Sequence, residues 1–239
     1  MIEEPHIRRA FDSELEGVQA LVVRMGGLVE ESLLQAAKAL ETRDEALAEQ
    51  VRRGDRTIDE MEELIQAECA RFLALRAPAA GDLRTILTVM RIIGALERSG
   101  DYAKNLAKRS LQLNQMSQIG GAAGSISRMA RSVVAMLTDA LDAFVARDAA
   151  LAEDVRRRDV EIDQMYNSVF REFLTHMMED PRNITPCMHL HFIAKNIERV
   201  GDHATAIAEQ VIYLVKGRMP EDERPKIDPL SVKMPGLQD

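Results

Sequence analysis

The 239-residue chain repeats itself, and the repeat extends to charged positions that helical periodicity alone would not preserve. Residues 43–61, RDEALAEQVRRGDRTIDEM, lie over 147–165, RDAALAEDVRRRDVEIDQM, with 13 of 19 positions identical. Residues 96–108, LERSGDYAKNLAK, lie over 197–209, IERVGDHATAIAE, with 6 of 13 identical, including the Glu, Arg, Gly and Asp of a Glu-Arg-x-Gly-Asp motif. The offsets are 104 and 101, so the second copy is three residues shorter between the two blocks. Whatever one copy folds into, the other folds into as well.

The repeated unit reads as three helices. Phe11, Leu15, Val18, Val22, Met25, Val29, Ser32, Ala36 and Leu40 step by three and four, the spacing of one helical face. Leu47, Val51, Ile58, Ile65 and Phe72 mark a second helix, with Asp44 placed as its N-cap. Pro78 and Gly81 break it, Asp82 is placed to cap the next, and a third helix runs from about 82 to 115. After the glycine-bearing connector 116–127 the pattern restarts. Met129, Val133, Met136, Leu137, Ala140 and Phe144 mark a fourth helix. A fifth follows Asp148, with Leu151, Val155, Ile162, Val169 and Phe173, and a sixth covers about 184–216. The expected fold is all-α: two three-helix bundle repeats over 6–116 and 124–216 from an internal duplication, and a mobile tail over 217–239 that holds four of the eight prolines.

Bulk properties exclude several classes. Hydrophobic residues at 46% supply a large core, and aromatics at 4% leave its packing to aliphatic side chains. A net charge of -8 argues against nucleic-acid binding, which needs Lys and Arg against phosphates. Cys69 and Cys187 fit no metal spacing and read as small buried hydrophobes in a reducing compartment. The acid-rich start does not read as an export signal, and no stretch is apolar for the length of a membrane span. The expectation is a cytoplasmic protein that reaches membranes only through partners.

The chemistry-bearing residues are carboxylates four apart, hence one turn apart on one helix face. They are Asp55 with Asp59, Glu97 with Asp101, Asp159 with Asp163, and Glu198 with Asp202. In each half the midpoint between the two pairs falls in a breaker, at Pro78 and between Asp180 and Pro181. Antiparallel hairpins turning there set two acidic ledges at one height. Asp55 and Asp159 fall on apolar stripes, and Gly100 and Gly201 leave room for a ligand or a close helix. Gathered acids must be protonated, paired with basic residues, or bound to cations. Arg52, Arg53, Arg56, Arg98 and Arg199 are the candidate partners for a plain salt-bridged surface. The metal reading assigns all eight acids as ligands of a hard ion such as Mg, Mn, Ca or ferric iron, with Mg, Mn or Fe preferred. A di-iron enzyme is disfavoured because glycine stands three residues after each motif Glu, where a Glu-x-x-His motif needs histidine. His203 follows Asp202 directly and points off the ledge, and His6, His176, His189 and His191 form no ligand pattern. No nucleophile motif or phosphate loop is present, so the chain is not read as an enzyme. A metal-dependent enzyme and an inert helical scaffold remain the alternatives.

ERSGDYAKNLAKR and ERVGDHATAIAE, with APAAGDLR at 77–84 and FDSELEGV at 11–18, resemble the PhoU family, accessory proteins of bacterial phosphate-specific transport systems. The resemblance covers about 6–216. It implies two similar three-helix bundles about a pseudo-twofold axis and a negative regulator of phosphate uptake and the phosphate-starvation response. Its implied partners are the importer ATPase subunit, a membrane sensor histidine kinase and a second copy of itself. It also implies metal binding at the eight acids named above. One departure stands out: the family's Asn after the motif is present as Asn105 but replaced by Ala206 in the second half, which would weaken or rehydrate that site.

Overall fold

The computed structural model describes residues 4–76 and 80–221, with side chains for 13–75 and 81–221. Phe11, the Pro78 breaker and the tail beyond Glu221 lie outside these descriptions. Among the described residues there are six long helices, α1 (Glu4–Thr42), α2 (Glu45–Arg76), α3 (Ala80–Leu113), α4 (Ala122–Ala146), α5 (Ala149–Glu179) and α6 (Ile184–Lys216), and a 3-10 turn at Pro181–Asn183. The described residues contain no strand. Asp44 caps α2 by accepting from Leu47 N–H at 2.9 Å, and its repeat mate Asp148 caps α5 through Ala150 and Leu151 at 2.8 and 3.0 Å. Asp82 is not a cap. Helix α3 begins at Ala80, which leaves Asp82 in the first turn, where its charge still opposes the helix dipole. Gly124 belongs to α4 rather than to the connector, which narrows around Gly121 at φ 78°.

The stripes face inward as their spacing requires. Val22, Met25, Val29 and Ala36 on α1 are buried, as are Ile58 and Ile65 on α2 and Val155, Ile162 and Phe173 on α5. Cys69 and Cys187 are buried free thiols, and burial pushes Cys69 up to about 11. Helices α1, α2 and α3 pack together, as do α4, α5 and α6; α3 lies against α6 and α1 against α4.

Both contacts between the halves are antiparallel. Along one, Glu30 meets Thr138 at 2.8 Å and Glu41 meets Ser127 at 2.8 Å, and a Cβ on Gly26 would collide with Leu141, so α1 and α4 approach closely there. Along the other, Arg84 lies over Tyr213, Tyr102 stacks on His203, and Arg109 lies over Phe192. Tyr102 and His203 occupy matching positions of the repeat, with ring centroids 5.7 Å apart and planes 15° apart. Two equivalent residues in mutual contact mark where the pseudo-twofold axis passes.

The repeat-mate arginines just past α1 and α4 make different contacts. Arg43, in the left-handed region at φ 56°, donates through Nη2 to the carbonyls of Leu113, Asn114 and Met116 at 3.1, 2.5 and 3.2 Å. It thereby supplements the turn that follows α3, where the Leu113 carbonyl also accepts from Met116 N–H at 3.0 Å. Its mate Arg147, with φ 53°, instead reaches Thr85 Oγ1 at 3.4 Å.

Candidate metal and regulatory site on two acidic ledges

The hairpin register places the ledges face to face. In the second half Lys195 lies over Tyr166 and His191 sits against Phe170, pairs centred between Asp180 and Pro181. In the first half a Cβ on Gly100 would come within 2.9 Å of Ile58 Cδ1 and 3.7 Å of Asp55 Oδ1. One on Gly201 would come within 3.3 Å of Ile162 Cγ2. Both motif glycines therefore let the paired helices close on each other, and of the two roles open to them the structure shows the packing one.

The first ledge gathers more acids than its motif. Asp55 is 4% exposed, Glu97 and Asp101 are half-buried, and Asp59 is exposed. Burial first, then the charges of Asp101, Glu62 and Asp59, pushes the Glu97 carboxyl above the ordinary range. Glu62 shifts the same way, from burial first and then from Asp59 and Glu63, while its hydrogen bond from Gln66 opposes the shift. Glu62 was not among the sequence candidates. Its signal was available, because it stands three residues after Asp59 on the same face of α2.

Lysines make the hydrogen-bonded ion pairs at Asp55, Asp101 and Glu198, while Arg98, one of the arginines expected to partner a salt-bridged surface, acts on Glu97 and Glu62 through its charge. Lys104 Nζ donates to Asp55 Oδ2 at 2.5 Å and to Asp101 Oδ1 at 3.3 Å, joining α3 to α2. Even so, burial outweighs this pairing and leaves the Asp55 carboxyl raised. In the second half Lys195 Nζ donates to Glu198 Oε1 at 2.8 Å. The Glu198 carboxyl is likewise raised, by burial first and then against Lys195 by Asp202 and Asp163; its Oε2 is buried and accepts no hydrogen bond from the protein. Arg52 and Arg56 turn instead to Glu49 and Glu60 on their own helix. Asp159 is 4% exposed, the mirror of Asp55, and Asp163 and Asp202 are half-buried. His203 is taken up in the stack on Tyr102 and lies off the ledge, as expected.

The donor chemistry bears on a metal. Among the described residues no three Asp, Glu, His or Cys side chains are placed to share one ion. The Asp59, Glu62 and Glu97 end of the first ledge is nevertheless an all-oxygen set of mutually repelling carboxylates, the chemistry a hard cation requires. At Glu198 the nearest cation is the protein's own Lys195.

The PhoU domain family model matches this chain twice, over residues 22–110 and 126–211. The chain belongs to the PhoU family. Each match contains one acidic ledge, consistent with an internal duplication. A Rhizobium meliloti (strain 1021) relative, named phosphate-specific transport system accessory protein PhoU homolog, is 44% identical over 223 residues, covering 93% of this chain and 94% of its own. A Zymomonas mobilis relative of the same name is 45% identical over 222 residues, covering 92% and 93%. The crystal structure of PhoU from Pseudomonas aeruginosa superposes with a TM-score of 0.83 at 42% identity, covering 87% of this chain and all of that one. That of the phosphate transport system regulatory protein PhoU from Streptococcus pneumoniae gives 0.80 at 31% identity, covering 88% and 99%. These names describe accessory and regulatory proteins. No helix among the described residues is long and apolar enough to cross a membrane.

Proposed function

We propose that this PhoU-family chain is a negative regulator of phosphate uptake and of the phosphate-starvation response. It acts in the cytoplasm as a helical adaptor between the importer ATPase subunit and the membrane sensor histidine kinase, and it works as a homodimer. The observation that supports this reading best is the doubled family match, in which each copy carries a carboxylate ledge at the same place. The names of the relatives supply the phosphate system.

The reading includes a hard cation, Mg, Mn or ferric iron, at the first ledge; since no three described side chains are placed to share one ion, Asp59, Glu62 and Glu97 would have to draw together to hold it. The cation would supply positive charge that keeps these acids ionised. Lys104 already serves Asp55 and Asp101, so that end of the ledge needs no ion to hold α2 to α3. The adaptor role requires no bond-making chemistry from the chain.

The test is the double variant Glu97→Gln/Asp101→Asn, expressed in place of the native protein in phosphate-replete cells. Metal content of the purified variant is expected to fall and transcripts of the phosphate-uptake genes to rise. Loss of metal with normal repression would sever the ion from regulation. A pull-down that recovers neither importer ATPase nor sensor kinase would overturn the adaptor reading.

A further inference from the structure

The duplication makes the two ledges comparable position by position, and at one end they have diverged in a coordinated way. The second-half equivalent of Glu62 is Tyr166, and the second-half equivalent of Gly94 is Lys195. In the first half, Glu62 and Gly94 face each other, with Glu62 Oε1 4.0 Å from where a Gly94 Cβ would stand. An acid opposite an absent side chain in one half has become a ring opposite a cation in the other.

The second-half residues form a seat. Lys195 stands three residues before Glu198 on α6, so its ammonium reaches the carboxylate along one helix face at 2.8 Å. From α5, the Tyr166 ring lies beneath the ammonium, 5.2 Å from Nζ to the centroid. Tyr166 is 9% exposed, and burial holds its phenol above the ordinary range, so at neutral pH it offers a ring and a hydroxyl and no oxyanion. The Glu198 side chain is 12% exposed against 37% for Lys195, so the carboxylate lies under the lysine. A hydrated divalent ion approaching Glu198 meets an ammonium already on Oε1 and an aromatic face where the first half presents Glu62.

We propose that Lys195, seated between Glu198 and Tyr166, is the built-in counter-ion of the second ledge, and that Glu198 is therefore not a metal ligand although Glu97, its repeat mate, is one. This rests on the cation assigned to the first ledge above. It removes one of the eight motif acids from the ligand set and replaces the symmetric pair of sites implied by the family resemblance with an unequal pair.

The experiment is a Mn2+ titration of full-length protein by electron paramagnetic resonance, comparing wild type with Glu97→Gln, Glu198→Gln, Lys195→Met and Lys195→Arg. Glu97→Gln is expected to weaken Mn2+ about tenfold or more, the scale on which a lost contact in a metal site is felt. Glu198→Gln should leave the titration unchanged. Lys195→Met uncovers the Glu198 carboxylate and should add a Mn2+ equivalent, while Lys195→Arg keeps the charge and should titrate as wild type. If Glu198→Gln weakens Mn2+ as much as Glu97→Gln, or if Lys195→Met adds nothing, the proposal is overturned. If wild type binds no Mn2+, the first-ledge cation fails, and the lysine seat is judged alone by a double-mutant cycle of Lys195→Met and Glu198→Gln on thermal unfolding in chelator. A coupling between the two sustains the counter-ion, and additive effects overturn it.

Discussion

Asp55 shows how a single carboxylate is held at the edge of a core. It is nearly buried, its pKa is raised by desolvation, and its compensation comes from Lys104, which is itself 42% exposed. Lys104→Met should destabilise the protein by about 1–3 kcal/mol in chemical denaturation, less than a fully buried pair would lose because solvent screens the ammonium. Glu97 shifts in the same direction, by burial first and then by the charges of Asp101, Glu62 and Asp59. Its folded pKa is raised, so the folded state holds the proton more tightly and stability falls as pH rises from the ordinary carboxylate range through the raised value. In chelator, Glu97→Gln should raise the melting temperature at neutral pH and flatten that decline; a lower melting temperature would show that the ionised carboxylate stabilises the fold. The burial of Asp55 and Asp159 was legible in the sequence, because a residue three before one stripe position and four after another must face inward. The identity of their partners was not. Lysine stems are long and flexible, so spacing gave no reason to choose Lys104 and Lys195 over the arginines, of which Arg52 and Arg56 pair along their own helix and Arg199 lies over Tyr102 of α3.

At the scale of single helices, the caps and the close approaches carry separate predictions. Asp44 was readable as a cap because an acid precedes the apolar run; its repeat mate Asp148 caps α5, and Asp148→Ala should cost about 1 kcal/mol in thermal unfolding. Asp82 misled for a physical reason: residues flanking a proline breaker can already be helical, and a carboxylate in the first turn looks like a cap in sequence. Gly100 and Gly54 make a controlled pair. A Cβ on Gly54 meets nothing within 4 Å, so Gly54→Ala should stabilise α2 by about 0.5–1 kcal/mol. A Cβ on Gly100 presses on Ile58 at 2.9 Å, so Gly100→Ala should lose more through overpacking, about 1–3 kcal/mol, than it gains in helix propensity. Urea midpoints of the two variants should move in opposite directions; a shared direction would mean that Ile58 yields without cost.

Across the whole molecule, the halves are not beads on a string. They share two antiparallel helix contacts, with Gly26 against Leu141 on one and the Tyr102–His203 stack on the other. Residues 1–116 and 117–239 expressed as separate chains in one cell should co-purify as a one-to-one complex on size-exclusion chromatography; two independent monomers would show that each half suffices. The duplication and the all-helical class were visible before any coordinates, because a repeat that preserves Asp and Arg as well as Leu reports a shared structure. How the copies dock was not visible, since the residues that meet across the dyad are an ordinary tyrosine and histidine whose only signal is matching positions in the repeat.

The grip of Arg43 on three connector carbonyls has a mechanical meaning for such a body. Force applied to the strap between the copies, by a docked neighbour or a pulling experiment, is delivered first to the corner joining α1 and α2. The reciprocal corner, whose arginine holds a threonine on the other copy, is spared. Load on this near-twin architecture is therefore borne unequally.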